Sequence, residues 1–83
     1  MVGININGGD SSVINITETG FRIKRTMDEN NLTVQDVYCR LGISPMAVYK
    51  WINGSCLPKT EHLYELSRMC NCSMEDLLVI EGD

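Results

Sequence analysis

The chain has 83 residues, 43% apolar and 22% charged, with a formal net charge of −4 at pH 7. That length holds one domain with a thin core, the composition excludes a disordered chain, and no apolar run approaches the roughly 18 residues of a membrane span. The amino terminus has no basic stretch ahead of a hydrophobic one, so a cytoplasmic protein with no membrane partner is expected.

The charge is unevenly spread. Residues 33–60 carry Arg40, Lys50 and Lys59 against Asp36, a net +2, whereas residues 61–83 carry Glu61, Glu65, Glu75, Asp76, Glu81 and Asp83 against Arg68, a net −5. A weakly basic middle segment thus precedes an acidic end, and one face can meet an anionic partner while the other stays in solvent.

Residues 1–17 contain no Lys, Arg, Leu or aromatic residue and read as an amino-terminal arm. Val2, Ile4 and Ile6 alternate with Gly3, Asn5 and Asn7. The turn signal Gly8-Gly9-Asp10 leads into Val13, Ile14 and Ile16, a β-hairpin pattern. From Thr17 the period becomes helical. Phe21, Ile23, Met27 and Leu32 predict a helix over about residues 18–30, closed near Asn30-Asn31, where an Asn adopts a left-handed C-cap. Thr33-Val34-Gln35-Asp36 is a capping pattern that opens a second helix, with Val34, Val37 and Leu41 on one face and Gly42 as its stop.

Ser44 caps a third helix with Pro45 at its first position, where a missing N–H costs nothing. Val48 and Trp51 face inward, Tyr49 and Lys50 outward, and Gly54 ends the helix. After Pro58, Thr60 opens a fourth helix carrying Leu63, Leu66 and Cys70. Ser73-Met74-Glu75-Asp76 starts a short fifth with Leu77 and Leu78 inside. None of these helices is long enough to stand alone, so all must share one core.

The four cysteines do not have structural zinc spacing. Only Cys70 and Cys72 lie close, as C-x-C, with Cys39, Cys56 and His62 scattered, whereas zinc sites pair their ligands twice over. They read as reduced thiols, some of them acting as small apolar core residues, with Cys56 as an exposed loop thiol. His62 reads as solvated. A single His, no Gly-rich phosphate loop and no spaced acid pair leave nothing for catalysis, so neither an enzyme nor a small-molecule substrate or cofactor is expected.

Helices two and three are joined by Gly42-Ile43-Ser44, a three-residue turn of the helix-turn-helix kind. The string Leu32-Thr33, Val37, Leu41-Gly42-Ile43-Ser44, Val48, Lys50-Trp51, Gly54 and Pro58 resembles the Cro and lambda-repressor-type (XRE) helix-turn-helix family. The likeness continues through Leu63, Leu66, Ser73 and Leu77-Leu78, over residues 19–79. The resemblance implies an all-α, five-helix lambda-repressor-like DNA-binding domain, expected over residues 18–83. Residues 1–17 lie outside the resemblance and are expected to be a short N-terminal arm, either a β-hairpin or a flexible segment. The resemblance further implies a homodimer that binds double-stranded DNA sequence-specifically and regulates transcription as a repressor, reading the major groove with helix 45–53.

Carried across position by position, the resemblance puts Ser44 near phosphate and Pro45, Met46, Ala47, Tyr49 and Lys50 toward the groove. Lys50 then donates to guanine, and Met46 and Ala47 touch a thymine methyl. Asn53, Ser55 and Lys59 line the phosphate path, and Thr33 reaches phosphate from the start of helix two. The chain departs from the family in three places. Val34 stands where a phosphate-reaching Gln is usual, with Gln35 one residue on. Ser55 and Cys56 occupy a loop that is usually basic. Met27 and Ile52 replace a buried Arg–Glu pair together, which avoids stranding one charge. The thin basic face and overall acidity leave a second reading, a helix-turn-helix fold used for protein–protein contact, and a third, a zinc- or redox-responsive switch through the cysteines.

Overall fold

A computed structural model describes residues 13–81. Five helices run in chain order, α1 (Ile16–Glu29), α2 (Val34–Leu41), α3 (Pro45–Ile52), α4 (Thr60–Met69) and α5 (Met74–Leu77). Two strands of two residues flank them, β1 (Val13–Ile14) and β2 (Ile80–Glu81). These pair antiparallel, with Val13 opposite Glu81 and Ile14 opposite Ile80. The fold is the five-helix, all-α arrangement expected, with a small sheet tying its two ends together.

Local chemistry starts and stops the helices. Asn15 caps α1, its side-chain oxygen accepting the N–H of Glu18 at 2.9 Å. Thr33 caps α2 and Ser73 caps α5, each in a reciprocal box with the acid three residues on, Asp36 and Asp76. Ser44 Oγ accepts the N–H of Ala47 at 3.3 Å, with Pro45 at the first turn of α3. Four helices end on a residue in the left-handed region: Asn31, Gly42, Gly54 and Asn71. At each, the following N–H reaches back five residues to a helical carbonyl: Leu32 to Met27 (2.9 Å), Ile43 to Tyr38 (3.1 Å), Ser55 to Lys50 (2.9 Å) and Cys72 to Ser67 (2.9 Å). This closure satisfies carbonyls that a helix end leaves open and turns the chain sharply.

One core serves all five helices. Ile23, Met27, Val37, Val48, Trp51, Leu63, Leu66, Cys70 and Leu77 are buried together. Leu32, Leu41, Ile52, Cys72 and Leu78 pack against that cluster. Met27 and Ile52 therefore share one apolar body, in place of the ion pair usual in the resembled family. α3 packs on both α1 and α2, and α5 on α4 and α1. The approach of α1 to α3 is close enough to require glycine. A Cβ on Gly20 would lie 2.5 Å from the carbonyl oxygen of Ile52 and 2.6 Å from that of Trp51.

Two expectations for the amino-terminal segment change. α1 begins at Ile16, two residues earlier than its apolar period suggested, so Ile16 is helical rather than part of a strand. The physical reason is the Asn15 cap, which starts the helix inside the alternating Val13, Ile14, Ile16 pattern. Val13 and Ile14 do form a strand, but its partner is Ile80–Glu81. The other arm of the expected hairpin, with Val2, Ile4 and Ile6, lies outside the described residues.

Candidate nucleic-acid interface

The turn between α2 and α3 is built from three residues with distinct duties. Gly42 takes φ 68° and ψ 35°, a left-handed conformation that an L side chain adopts only with strain. Its N–H and that of Ile43 both donate to the Tyr38 carbonyl, at 3.0 and 3.1 Å. Ile43 is half-buried against the core, and Ser44 starts the next helix in extended geometry. The chain thus ends one helix, anchors an apolar residue and starts another within three positions.

The inward and outward faces of α3 separate cleanly. Val48 is fully buried and Trp51 nearly so, which fixes the rotation of the helix. Met46, Tyr49, Lys50 and Asn53 then fall at i, i+3, i+4 and i+7 on the opposite side, one continuous stripe. All four are exposed, Met46 at 61% and Tyr49 at 52% of their surface. Pro45 is also exposed, and Ala47 is half-buried at the flank.

The segment after α3 folds back on it. Ser55 and Cys56 donate their N–H groups to the Lys50 carbonyl, at 2.9 and 3.3 Å. Asn53 Oδ1 accepts both the N–H of Ser55 at 3.0 Å and its hydroxyl at 2.7 Å. The backbone donor fixes which end of the amide is oxygen, so the Asn53 amide nitrogen is the outward donor. The Ser55 hydroxyl spends its proton inside this loop, and it positions Asn53 more directly than it offers a donor of its own. Lys59 is exposed at the start of α4, where it makes no side-chain cap bond.

Thr33 stands apart from this group. It caps α2 at the end remote from the turn, so a helix of eight residues, about 12 Å, separates it from Gly42. Its Oγ1 accepts the Asp36 N–H at 3.0 Å, and its own N–H goes to the Asp36 carboxylate at 2.8 Å. The Thr33 N–H, and secondarily the Thr33 side chain, hold the Asp36 carboxyl below its usual value. A carboxylate thus sits beside the one hydroxyl proton Thr33 has left to donate. Gln35, in the same first turn, and Arg40, in the last, are both exposed. Val34, in the position where the resembled family has its phosphate-reaching Gln, is turned into the core.

A family model for the Cro/C1-type helix-turn-helix DNA-binding domain matches residues 22–83. The chain belongs to that family. No curated protein sequence matches the chain. As a Cro/C1-type domain it is a DNA-binding module of the kind transcription regulators carry, and the family is generally non-enzymatic. In this Cro/C1-type chain α2 and α3, with their three-residue turn, form the helix-turn-helix unit.

The remaining polar and sulfur groups fall into place around that unit. Cys70 is buried in the core, and desolvation pushes its thiol up to about 11. Cys72 is half-buried beside it, raised by burial and by the Asp76 charge, while Cys39 and Cys56 are exposed. Among the described residues no group of three or more His, Cys, Asp and Glu is placed to hold a metal ion. Among the described residues no helix is long and apolar enough to cross a membrane. His62 is not the solvated side chain expected. It is half-buried with its ring 6.0 Å from that of Trp51 and tilted by 39°, because the first turn of α4 passes over the indole. The sequence held no signal for that contact, or for the Asn53–Ser55 bonds, since both depend on how the chain turns after α3.

Proposed function

We propose that two copies of this Cro/C1-type domain bind an inverted-repeat operator as a repressor, each laying α3 in the major groove. The observation that carries this reading is the exposed stripe Met46, Tyr49, Lys50 and Asn53 on a helix whose opposite face is locked by Val48 and Trp51. A helix held that rigidly offers a fixed set of side chains to base edges, which is what sequence reading requires. Ser44 and the Asn53 amide supply hydrogen bonds, and Lys59 supplies charge, toward phosphate on either side of α3. Thr33 adds a phosphate contact from α2. One copy offers too few polar readers for strong discrimination, and two half-sites a helical turn apart double it. The net charge of −4 and the apolar character of Met46 and Tyr49 favour a second reading, in which the same stripe docks another protein.

Selection from a random double-stranded DNA pool at moderate salt separates the two. An enriched inverted repeat with half-sites about one helical turn apart supports the dimeric regulator. Folded protein that enriches nothing supports the protein-docking reading. Repression, in turn, requires that the enriched repeat placed over a promoter lower transcription when the protein is present.

A further inference from the structure

The chemistry of the exposed stripe restricts what α3 can read. Over its first two turns the outward side chains are Pro45, Met46, Tyr49 and Lys50, with Ala47 at the flank. Lys50 carries donors only, so it pairs with the acceptors of guanine or with adenine N7 and thymine O4. The Tyr49 phenol is the one side-chain acceptor among them, and there is no Asn, Gln, Asp or Glu to grip the amino groups of adenine or cytosine. The next polar group, Asn53, lies seven residues or about 10 Å along the axis from Met46. Its carbonyl is already committed to Ser55.

Against that shortage of hydrogen-bonding groups, Met46 and Tyr49 leave more than half their surface exposed on the helix face that carries the lone cation. A flexible thioether beside an aromatic ring suits a methyl group that projects from the groove floor. Of the four bases only thymine presents one there, and its 5-methyl is what separates it from the other pyrimidine without a hydrogen bond. Resting on the major-groove reading above, we propose that α3 recognises thymine through its 5-methyl group. Met46 and Tyr49 form the methyl-reading surface, and Lys50 fixes register on a neighbouring purine.

The test uses the full chain and the duplex enriched from an ordinary random pool. That duplex is remade with deoxyuridine at each thymine in turn, which removes only the methyl, and with 5-methylcytosine at each cytosine, which adds one. Burying a methyl-sized group is worth about 0.8 kcal/mol, so uracil at a contacted position should weaken binding about fourfold. Changing both half-sites should weaken it about fifteenfold. Met46→Ala should bind the thymine duplex more weakly and lose its preference for thymine over uracil at one position, while Tyr49→Phe should keep it. Equal binding to a duplex with every thymine replaced overturns the methyl reading and leaves major-groove binding standing. A pool that enriches nothing overturns both.

Discussion

Thr19 and Val79 lie 60 positions apart, yet the Thr19 hydroxyl oxygen accepts the backbone N–H of Val79 at 3.0 Å. Thr19 is fully buried within α1, and the Val79 carbonyl accepts the N–H of Asn15 at 2.8 Å. Both backbone groups of Val79 are therefore satisfied by the first turn of α1, and Asn15 Nδ2 also donates to the Glu81 carboxylate at 2.8 Å. This clasp holds the acidic carboxyl-terminal strand on the end of α1 that packs against α3. Thr19→Val keeps the shape and removes the acceptor, and should cost about 1–3 kcal/mol in urea unfolding. Thr19→Ser keeps the oxygen and should cost much less. Equal stability of the two variants would show that the bond contributes nothing.

Gly20 governs the fit of α1 onto α3. An alanine methyl there would fall within 2.6 Å of two backbone carbonyl oxygens, at Trp51 and Ile52, and neither is a flexible chain end. The helices would have to separate. Gly20→Ala should destabilise the domain by about 2–3 kcal/mol despite alanine's better helix propensity, lowering Tm by roughly 10–20 °C. Because α3 would shift with it, DNA affinity should fall even at temperatures where the variant remains folded. A stabilised Gly20→Ala protein, measured calorimetrically, would contradict the close approach.

What could be read from the sequence was chemistry completed within a few residues. The boxes at Thr33 and Ser73, the Ser44-Pro45 start and the left-handed ends at Asn31, Gly42 and Gly54 each involve partners three to five positions apart. The rotation of α3 was legible too, because Val48 and Trp51 share one side of a 3.6-residue period. The Asn15 cap was masked by β-like alternation around it. β2, the Thr19–Val79 bond and the Trp51–His62 contact join segments far apart in the chain, and no local pattern specifies them. At the interface, exposure of the stripe followed from periodicity. The commitment of Ser55 to Asn53 did not, since it arises only once Gly54 turns the chain.

Cys70 gives the fold an alkaline limit. Burial raises its thiol to about 11, above the roughly 8.5 of an unfolded cysteine. A raised acid keeps its proton in the folded state while the unfolded chain has lost it. Its stabilisation is complete below about pH 8.5 and is lost as pH rises toward 11. Cys70→Ala should be less stable at pH 7, with a flatter decline in Tm between pH 9 and 11. In native protein an aromatic disulfide reagent should label exposed Cys39 and Cys56 first and reach Cys70 only on unfolding.

Asp36 sets the opposite limit. The Thr33 backbone N–H, and secondarily its side chain, hold the Asp36 carboxyl below its ordinary value. A lowered carboxyl stabilises the fold above the unfolded value of about 3.9, and that contribution is lost as pH falls through the folded value. Asp36→Asn should therefore lower the urea midpoint at pH 7, and the gap to the parent protein should narrow as pH falls below the unfolded carboxyl value of about 3.9. The same variant removes a carboxylate beside Thr33 and should strengthen DNA binding at pH 7 if that hydroxyl meets phosphate. Unchanged affinity would take Thr33 out of the phosphate path.

Lys50 and Lys59 should separate base reading from phosphate contact. Lys50 stands in the exposed stripe of α3, Lys59 at the start of α4 beyond the turn. With only Arg40, Lys50 and Lys59 as cations in residues 33–60, the slope of log K against log salt should not exceed about 2.7 per copy. Lys59→Ala should weaken binding similarly on all duplexes and reduce that slope by about 1. Lys50→Ala should cost about 1–3 kcal/mol on the selected duplex and relax preference at one base pair per half-site. Competition between matched and single-mismatch duplexes distinguishes them. If Lys50→Ala loses affinity uniformly across sequences, the residue contacts phosphate, and α3 would have to take its specificity from apolar contacts alone.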